Sequence, residues 1–294
     1  MRILVLGVNG MLGHMVYDYF DSKKLNDYQV FGTVRKLDKS DKRNVSELNI
    51  CGNSDCLEII SRLSCQFRSP VDVIINCIGT LVTESNENPS RAICINSWFP
   101  HYIEELFKNK LTKIIQISTD CVFSGKRGFY KDEDIPDETN FYGRSKYLGE
   151  IVNNKDLTLR TSIIGPELKE NGTGLFHWFM KTKGLISGYM NAYWNGFTTL
   201  ELAKIIEKSI EQNITGLYQP TPRTQINKHD LLVIINNIFE LNKEIRPVQM
   251  KNYIDKTLLD RRGSLEFKKK TYQEMLQELK DWMYSNPEKY KQYI

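Results

Sequence analysis

The sequence predicts an α/β fold, a doubly wound parallel sheet with a smaller C-terminal domain, and three observations carry that expectation. The run Arg2-Ile3-Leu4-Val5-Leu6 is apolar enough for a strand buried on both faces. Further short apolar runs alternate with stretches of helical period, the signature of parallel strands joined by helices. After Gly165 the alternation gives way to long helical stretches.

The first strand passes at once into Gly7-Val8-Asn9-Gly10-Met11-Leu12-Gly13 and an amphipathic stretch from Met11 to Phe20. Gly7 permits a tight turn, Gly10 lets backbone approach a pyrophosphate, and Gly13 allows close helix packing. The helix N-terminus supplies N–H donors for phosphate. Strand, glycine turn and helix in this order predict a dinucleotide-binding Rossmann domain, with Gly7, Asn9, Gly10, Met11, Leu12 and Gly13 at the cofactor.

The next apolar runs are Val30 to Val34, Val71 to Cys77, Ile114 to Ser118 and Leu157 to Gly165, with helical periodicity over Ser54 to Phe67 and Pro89 to Phe107. Helices are then expected over Leu175 to Lys183, Thr199 to Gln212, His229 to Leu241 and Tyr272 to Ser285. Gly216-Leu217-Tyr218-Gln219-Pro220 reads as one more strand, free to rejoin the first sheet. The expected division is 1–165 for the cofactor and 166–294 for the substrate, with about 192–220 able to return to the first.

At 294 residues, 40% hydrophobic and 26% charged, the chain can bury a full core and has the composition of an ordinary α/β protein. Its net charge of +4 is dispersed apart from Lys268-Lys269-Lys270, which reads as a solvated helix face, so nucleic acid is not an expected partner. The six cysteines show no zinc spacing with the four histidines, and no signal peptide precedes the first strand. The expectation is a cytoplasmic protein with no metal and no membrane span.

Tyr142 and Lys146 stand four residues apart. If Phe141 to Asn153 is helical, both lie on one face and the ammonium can lower the phenol's pKa, which makes Tyr142 a usable general acid. Reducing a ketone needs a hydride donor on one face and proton-donating groups where negative charge develops on oxygen; Thr119 and Tyr142 suit the latter. At the end of the second strand Arg35 takes the place where an acidic residue would accept from the ribose of NAD, so NADPH is the expected cofactor, with Lys36 assisting and Asn49 and Ile50 against the adenine.

The glycine turn, Asn76-Cys77-Ile78-Gly79, Ser118-Thr119-Asp120-Cys121-Val122-Phe123 and Tyr142-x-x-x-Lys146 together resemble the extended short-chain dehydrogenase/reductase family over most of the chain. Within it, Tyr142-Gly143-Arg144-Ser145-Lys146-Tyr147-Leu148-Gly149-Glu150 and Leu159-Arg160-Thr161-Ser162 most resemble dTDP-4-dehydrorhamnose reductases and related nucleotide-sugar reductases. The resemblance implies reduction of a 4-keto group on a nucleotide-linked 6-deoxy sugar. It also implies that Cys77, Ile78 and Gly79 lie at the cofactor, that Lys146 holds the nicotinamide ribose, and that Asn96 organises Lys146. It leaves a homodimer open.

Two positions depart from the rhamnose reductase pattern. Ile163 stands where Trp is common, and Cys121 stands where Tyr is usual but where GDP-fucose synthase and UDP-4-keto-6-deoxyglucose epimerase/reductases carry Cys. The resemblance there implies proton exchange at the carbons flanking the ketone, hence 3,5-epimerisation before reduction. A second acid/base would come from His177 or Lys181, four apart on one helix face, with Lys183 also open. The alternatives are a monofunctional dTDP-4-dehydrorhamnose reductase and a non-catalytic regulatory subunit of the kind that binds methionine adenosyltransferase.

Overall fold

The computed structural model describes residues 1–23, 28–38, 41–50 and 71–294. The helix expected over Ser54 to Phe67, and Cys51, Cys56 and Cys65, lie outside the described residues.

The strands β1 (Arg2–Leu6), β2 (Gln29–Val34), β3 (Val45–Glu47), β4 (Val73–Asn76), β5 (Lys113–Thr119) and β6 (Leu157–Thr161) join the strand Gly216–Tyr218 in one seven-stranded sheet. From one edge to the other the order is Gly216–Tyr218, β6, β5, β4, β1, β2, β3. β1 pairs in parallel with β2 and β4, β4 with β5, β2 with β3, and Gly216–Tyr218 with β6. The strand order reverses at β1, and in such sheets ligands bind outside the carboxyl ends of the strands at that switch point. The glycine turn occupies that place, between β1 and the helix α1 (Met11–Ser22).

β1 is buried on both faces from Ile3 to Leu6, as its unbroken apolar run requires. On one side Leu4, Leu6, Phe31, Ile74 and Ile114 meet Ile95, Phe99, Ile103 and Phe107. Each fully buried side chain of this size contributes about 1.5–3 kcal/mol through the water it sheds. This packing aligns the C-terminal ends of β4 and β5, which carry Cys77 to Gly79 and Thr119.

Met1–Val122, Pro136–Arg160 and Ile214–Tyr218 form one compact unit, and Phe123–Ile135, Thr161–Asn213 and Gln219–Ile294 form a second. The second holds the helices Leu175–Lys181, Thr199–Glu211, Lys228–Ile238 and Tyr272–Tyr284. It also holds three small sheets: Ile163–Ile164 with Phe197–Thr198; Ala192–Trp194 between Ile226–Asn227 and Ile254–Asp255; and Ile186–Tyr189 with Ile245–Val248. Strands of two to four residues are too short to show alternation, and the helical texture of the sequence concealed them.

The run expected as one strand from Leu157 to Gly165 is two. β6 ends at Thr161, and Ile163–Ile164 pairs elsewhere with Phe197–Thr198. Ser162 is the break: its carbonyl accepts from Phe197 N at 2.9 Å, and a Cβ on Gly196 would stand 2.2 Å from that oxygen.

Candidate active site

The glycine turn is built by contacts that a side chain would obstruct. Gly7 has φ +84°, and a Cβ there would meet Ile78 Cγ1 at 2.9 Å. A Cβ on Gly13 would stand 2.1 Å from the Gly7 carbonyl oxygen, so only glycine lets α1 start this close to β1. Gly10 caps α1 with extended backbone, its N–H donates to Gly7 O at 3.0 Å, and a Cβ there would meet only that oxygen, at 3.3 Å. The first turn of α1 has no side-chain cap and no acidic residue, so the positive end of the helix faces no competing anion of its own. Asn9 is exposed, Met11 half-buried and Leu12 buried. The turn therefore fits the pyrophosphate of a dinucleotide.

Arg35 and Lys36 lie exposed just past the end of β2, Asn49 is exposed, and Ile50 belongs to the core beside Leu48. Arg43 was not anticipated. Its Nη1 donates to Val8 O at 3.2 Å and its Nη2 to Asn9 Oδ1 at 2.7 Å, while Asp41 accepts from Nη2 at 2.6 Å. The bond to Asp41 holds the guanidinium pKa above its ordinary value. Arg43 thus ties the loop before β3 to the cofactor turn. Its only sequence signal is a cation near the third strand, and strand pairing brings it to the turn.

The chemical centre stands at the end of β5. Thr119 is buried; its Oγ1 donates to Asp120 Oδ1 at 3.1 Å and accepts from Cys121 N at 3.1 Å. Thr119 lies close enough to the Tyr142 phenol to favour its ionised form. Tyr142 and Lys146 ride on the helix Phe141–Leu148, started by Asn140, whose Oδ1 accepts from Gly143 N at 2.9 Å. This helix is shorter than the expected Phe141 to Asn153. It ends with Gly149 as its C-cap, which backs onto Asn96 so closely that a Cβ would come within 1.8 Å of the Asn96 carbonyl oxygen.

The electrostatics also differ from expectation. Burial pushes the Tyr142 phenol above its ordinary value, Cys121 and Asp120 act in the same direction, and Thr119 opposes them. The expected lowering by Lys146 is not among the influences on Tyr142, and the Lys146 Nζ donates instead to Ile117 O at 2.6 Å. Burial brings Lys146 itself down to about 8, against the charges of Glu150 and Cys77. Burial likewise raises the Cys77 thiol to about 12, with Lys146 opposing. A phenol kept neutral beside a buried ammonium suits a proton donor.

Asn96 lies in a π-helical segment, Ile93–Trp98, between the helices Pro89–Ala92 and Phe99–Phe107; the expected single helix carries a bulge here, a feature frequent at functional sites. Its Oδ1 accepts from Thr80 N at 3.0 Å, and its Nδ2 donates to Thr80 Oγ1 and Ser145 Oγ, each at 3.0 Å. Asn96 thereby joins the segment after β4 to the Tyr/Lys helix. Gly79 lies between it and Lys146: a Cβ there would stand 3.3 Å from Asn96 Oδ1 and 3.8 Å from Lys146 Nζ. Ile78 is half-buried, and its N–H donates to Asn76 Oδ1 at 3.1 Å.

Cys121 is half-buried in the 3-10 turn Asp120–Val122 of the first unit. His177, Lys181 and Lys183 belong to the second. His177 is buried, with Nδ1 2.7 Å from the Tyr293 hydroxyl; Lys181 Nζ lies 5.6 Å from the centre of the same ring and donates to Gln292 O at 2.6 Å. Both therefore occupy one helix face. Lys183 is exposed beyond the helix end. Among the described residues no group of three or more His, Cys, Asp or Glu could hold a metal, and no helix is long and apolar enough to cross a membrane.

The chain matches the model of the RmlD substrate binding domain over residues 1–294. It is 29% identical over 170 residues to the probable low-salt glycan biosynthesis reductase Agl14 of Haloferax volcanii, a match spanning 56% of this chain and 54% of that protein. It is 27% identical to a dTDP-4-dehydrorhamnose reductase of Aggregatibacter actinomycetemcomitans, over 86% of this chain and 84% of the relative. It is 24% identical to methionine adenosyltransferase 2 subunit beta of Bos taurus, over 84% and 75%. A dTDP-4-dehydrorhamnose reductase of Bacillus anthracis, solved in complex with NADP, superposes with a TM-score of 0.77 at 20% identity over 96% of this chain and 99% of its own. With the family model spanning its length and the Tyr/Lys pair set beside a Rossmann turn, the chain belongs to the RmlD substrate-binding-domain family of extended short-chain dehydrogenases/reductases.

Proposed function

We propose that this protein is an NADPH-dependent reductase acting on the C4 ketone of a nucleotide-linked 4-keto-6-deoxy sugar, with 3,5-epimerisation preceding reduction in the same site. One observation carries the reading: the buried Thr119, at the end of β5, lies close enough to act on the Tyr142 phenol, one helical turn from the buried Lys146. The relatives named dTDP-4-dehydrorhamnose reductase support the reaction class, and the NADP-bound neighbour supports the cofactor.

The turn Gly7 to Gly13 would hold the pyrophosphate, Arg35 the 2′-phosphate, and Lys146 the nicotinamide ribose. NADPH supplies the hydride. Thr119 and Tyr142 converge on the ketone oxygen, where they stabilise developing charge, and Tyr142 delivers the proton. Its raised pKa keeps that proton available at neutral pH. The same polarisation acidifies the protons at C3 and C5. Cys121, bonded through its N–H to Thr119 Oγ1 and close enough to act on the Tyr142 charge, is the candidate acid/base for their exchange.

A monofunctional dTDP-4-dehydrorhamnose reductase is the second reading, favoured by the relative that shares most of its length with this chain. A regulatory subunit, as the methionine adenosyltransferase 2 subunit beta relative suggests, would not need Thr119, Tyr142 and Lys146 together. Incubation with NADPH and a UDP- or dTDP-linked 4-keto-6-deoxyglucose in D₂O, without added epimerase, separates the three. The bifunctional enzyme incorporates deuterium at C3 and C5 and releases the L-sugar, and C121A suppresses both. A simple reductase incorporates none yet reduces the pre-epimerised ketone. A regulatory subunit turns over neither.

A further inference from the structure

The buried charges of the first unit extend beyond Lys146. Glu150, just past the helix Phe141–Leu148, and Arg160, in β6, are both buried. Arg160 Nε donates to Glu150 Oε1 at 2.9 Å and Nη2 to Oε2 at 2.6 Å, a two-pronged pair that fixes the carboxylate plane. Ser118 Oγ donates to Glu150 Oε1 at 2.6 Å. Ser118 stands between Ile117, whose carbonyl accepts from Lys146 Nζ at 2.6 Å, and Thr119, which acts on the Tyr142 phenol. One carboxylate therefore anchors the three-residue strand end that carries the chemistry.

A buried ion pair is weak evidence for stability, since the cost of desolvating both charges offsets much of their attraction. Its position asks for another reason. We propose that Glu150 is the positioning residue for Lys146: gripped by Arg160 and bonded by Ser118, it fixes the strand end whose Ile117 carbonyl holds the Lys146 ammonium. This rests on the role given to Lys146 above.

The charged and titratable groups around Lys146 agree with this assignment. Glu150 is the foremost group favouring the ammonium, ahead of the Cys77 thiol at the end of β4, and both oppose burial. Tyr142, on the same helix, is neutral, and Asp120 and Cys121 act on Tyr142. Arg160 is paired with Glu150.

The test follows the Lys146 titration in the full chain by NMR of ¹³Cε-labelled lysines, assigned with K146R, alongside kcat/KM against pH. Glu150→Gln is expected to lower the Lys146 titration and the alkaline limb of activity by about one pH unit, roughly a tenfold loss on that limb. Glu150→Asp, which keeps the charge, should recover most of it. Because Glu150→Gln leaves a buried guanidinium unpaired and can unfold the chain, the E150Q/R160Q double variant is measured as well, with a shift in the same direction expected. An unmoved Lys146 titration in whichever of these variants folds overturns the assignment, even if melting temperature falls. The NMR titration does not depend on turnover. If it shifts while the protein reduces no 4-keto sugar, the functional reading fails and the positioning role stands.

Discussion

At the scale of single residues, the proposed chemistry depends on one phenol kept neutral and one ammonium kept charged. Tyr142→Phe removes only the donated proton, so steady-state kinetics should show a reduction rate lower by about a hundredfold or more, while fluorescence titration finds NADPH affinity nearly unchanged. Lys146 sets the pH response. With its pKa brought down to about 8, it is charged below that value and neutral above it, so kcat/KM should fall as pH rises through about 8. A profile flat to pH 10 would remove the ammonium from the rate-determining machinery. Cofactor choice divides between two arginines. Arg35→Asp should weaken NADPH by several-fold to about a hundredfold and spare NADH, because it reverses a charge meant for the 2′-phosphate. Arg43→Met should weaken both alike, since Arg43 braces Val8 and Asn9 rather than the phosphate. The first arginine is readable from its place at the end of a strand; the second is brought to the turn only when β2 and β3 pair.

At the scale of elements, glycines decide how closely pieces approach. A Cβ on Gly149 would meet the Asn96 carbonyl oxygen at 1.8 Å, a backbone contact with no flexible end to yield. Gly149→Ala should therefore cost about 1–3 kcal/mol in urea unfolding, the range of overpacked interiors. Gly10→Ala meets only Gly7 O, at 3.3 Å, so its loss should appear in NADPH binding and hardly in stability. The Tyr/Lys helix itself was legible from spacing, but its end at Leu148 was not, and the close approach of Gly149 to Asn96 just past that end is a contact between residues more than fifty positions apart. The π bulge around Asn96 was equally hidden, since the run Pro89 to Phe107 keeps a helical apolar pattern through it.

At the scale of the whole molecule, a cofactor that binds only the folded chain must stabilise it. NADPH at about a hundred times its Kd should add ~2.7 kcal/mol, readable as a rise in melting temperature that depends on NADPH concentration. A melting curve indifferent to NADPH would speak for a protein that has kept the fold without the cofactor. The C-terminal region is where sequence reading was least complete. Its four long helices were foreseen, whereas its three small sheets, built from strands of two to four residues, were not.

The sequence by itself determined what depends on neighbours along the chain: a buried first strand, the glycine turn into α1, the alternation that makes the sheet parallel, and the identity and spacing of Thr119, Tyr142 and Lys146. Local patterns carry such features because strand and helix periods and turn conformations are set within a few residues. Only the tertiary structure decided that Arg43 braces the turn, that Asn96 links Thr80 to Ser145, and that Glu150 is held by Arg160 and Ser118 beside the carbonyl of Ile117 that takes Lys146. It also decided the protonation of the site, raising Tyr142 where the sequence expected a lowering, because burial depends on what the whole fold packs around a group and not on its neighbours in the chain.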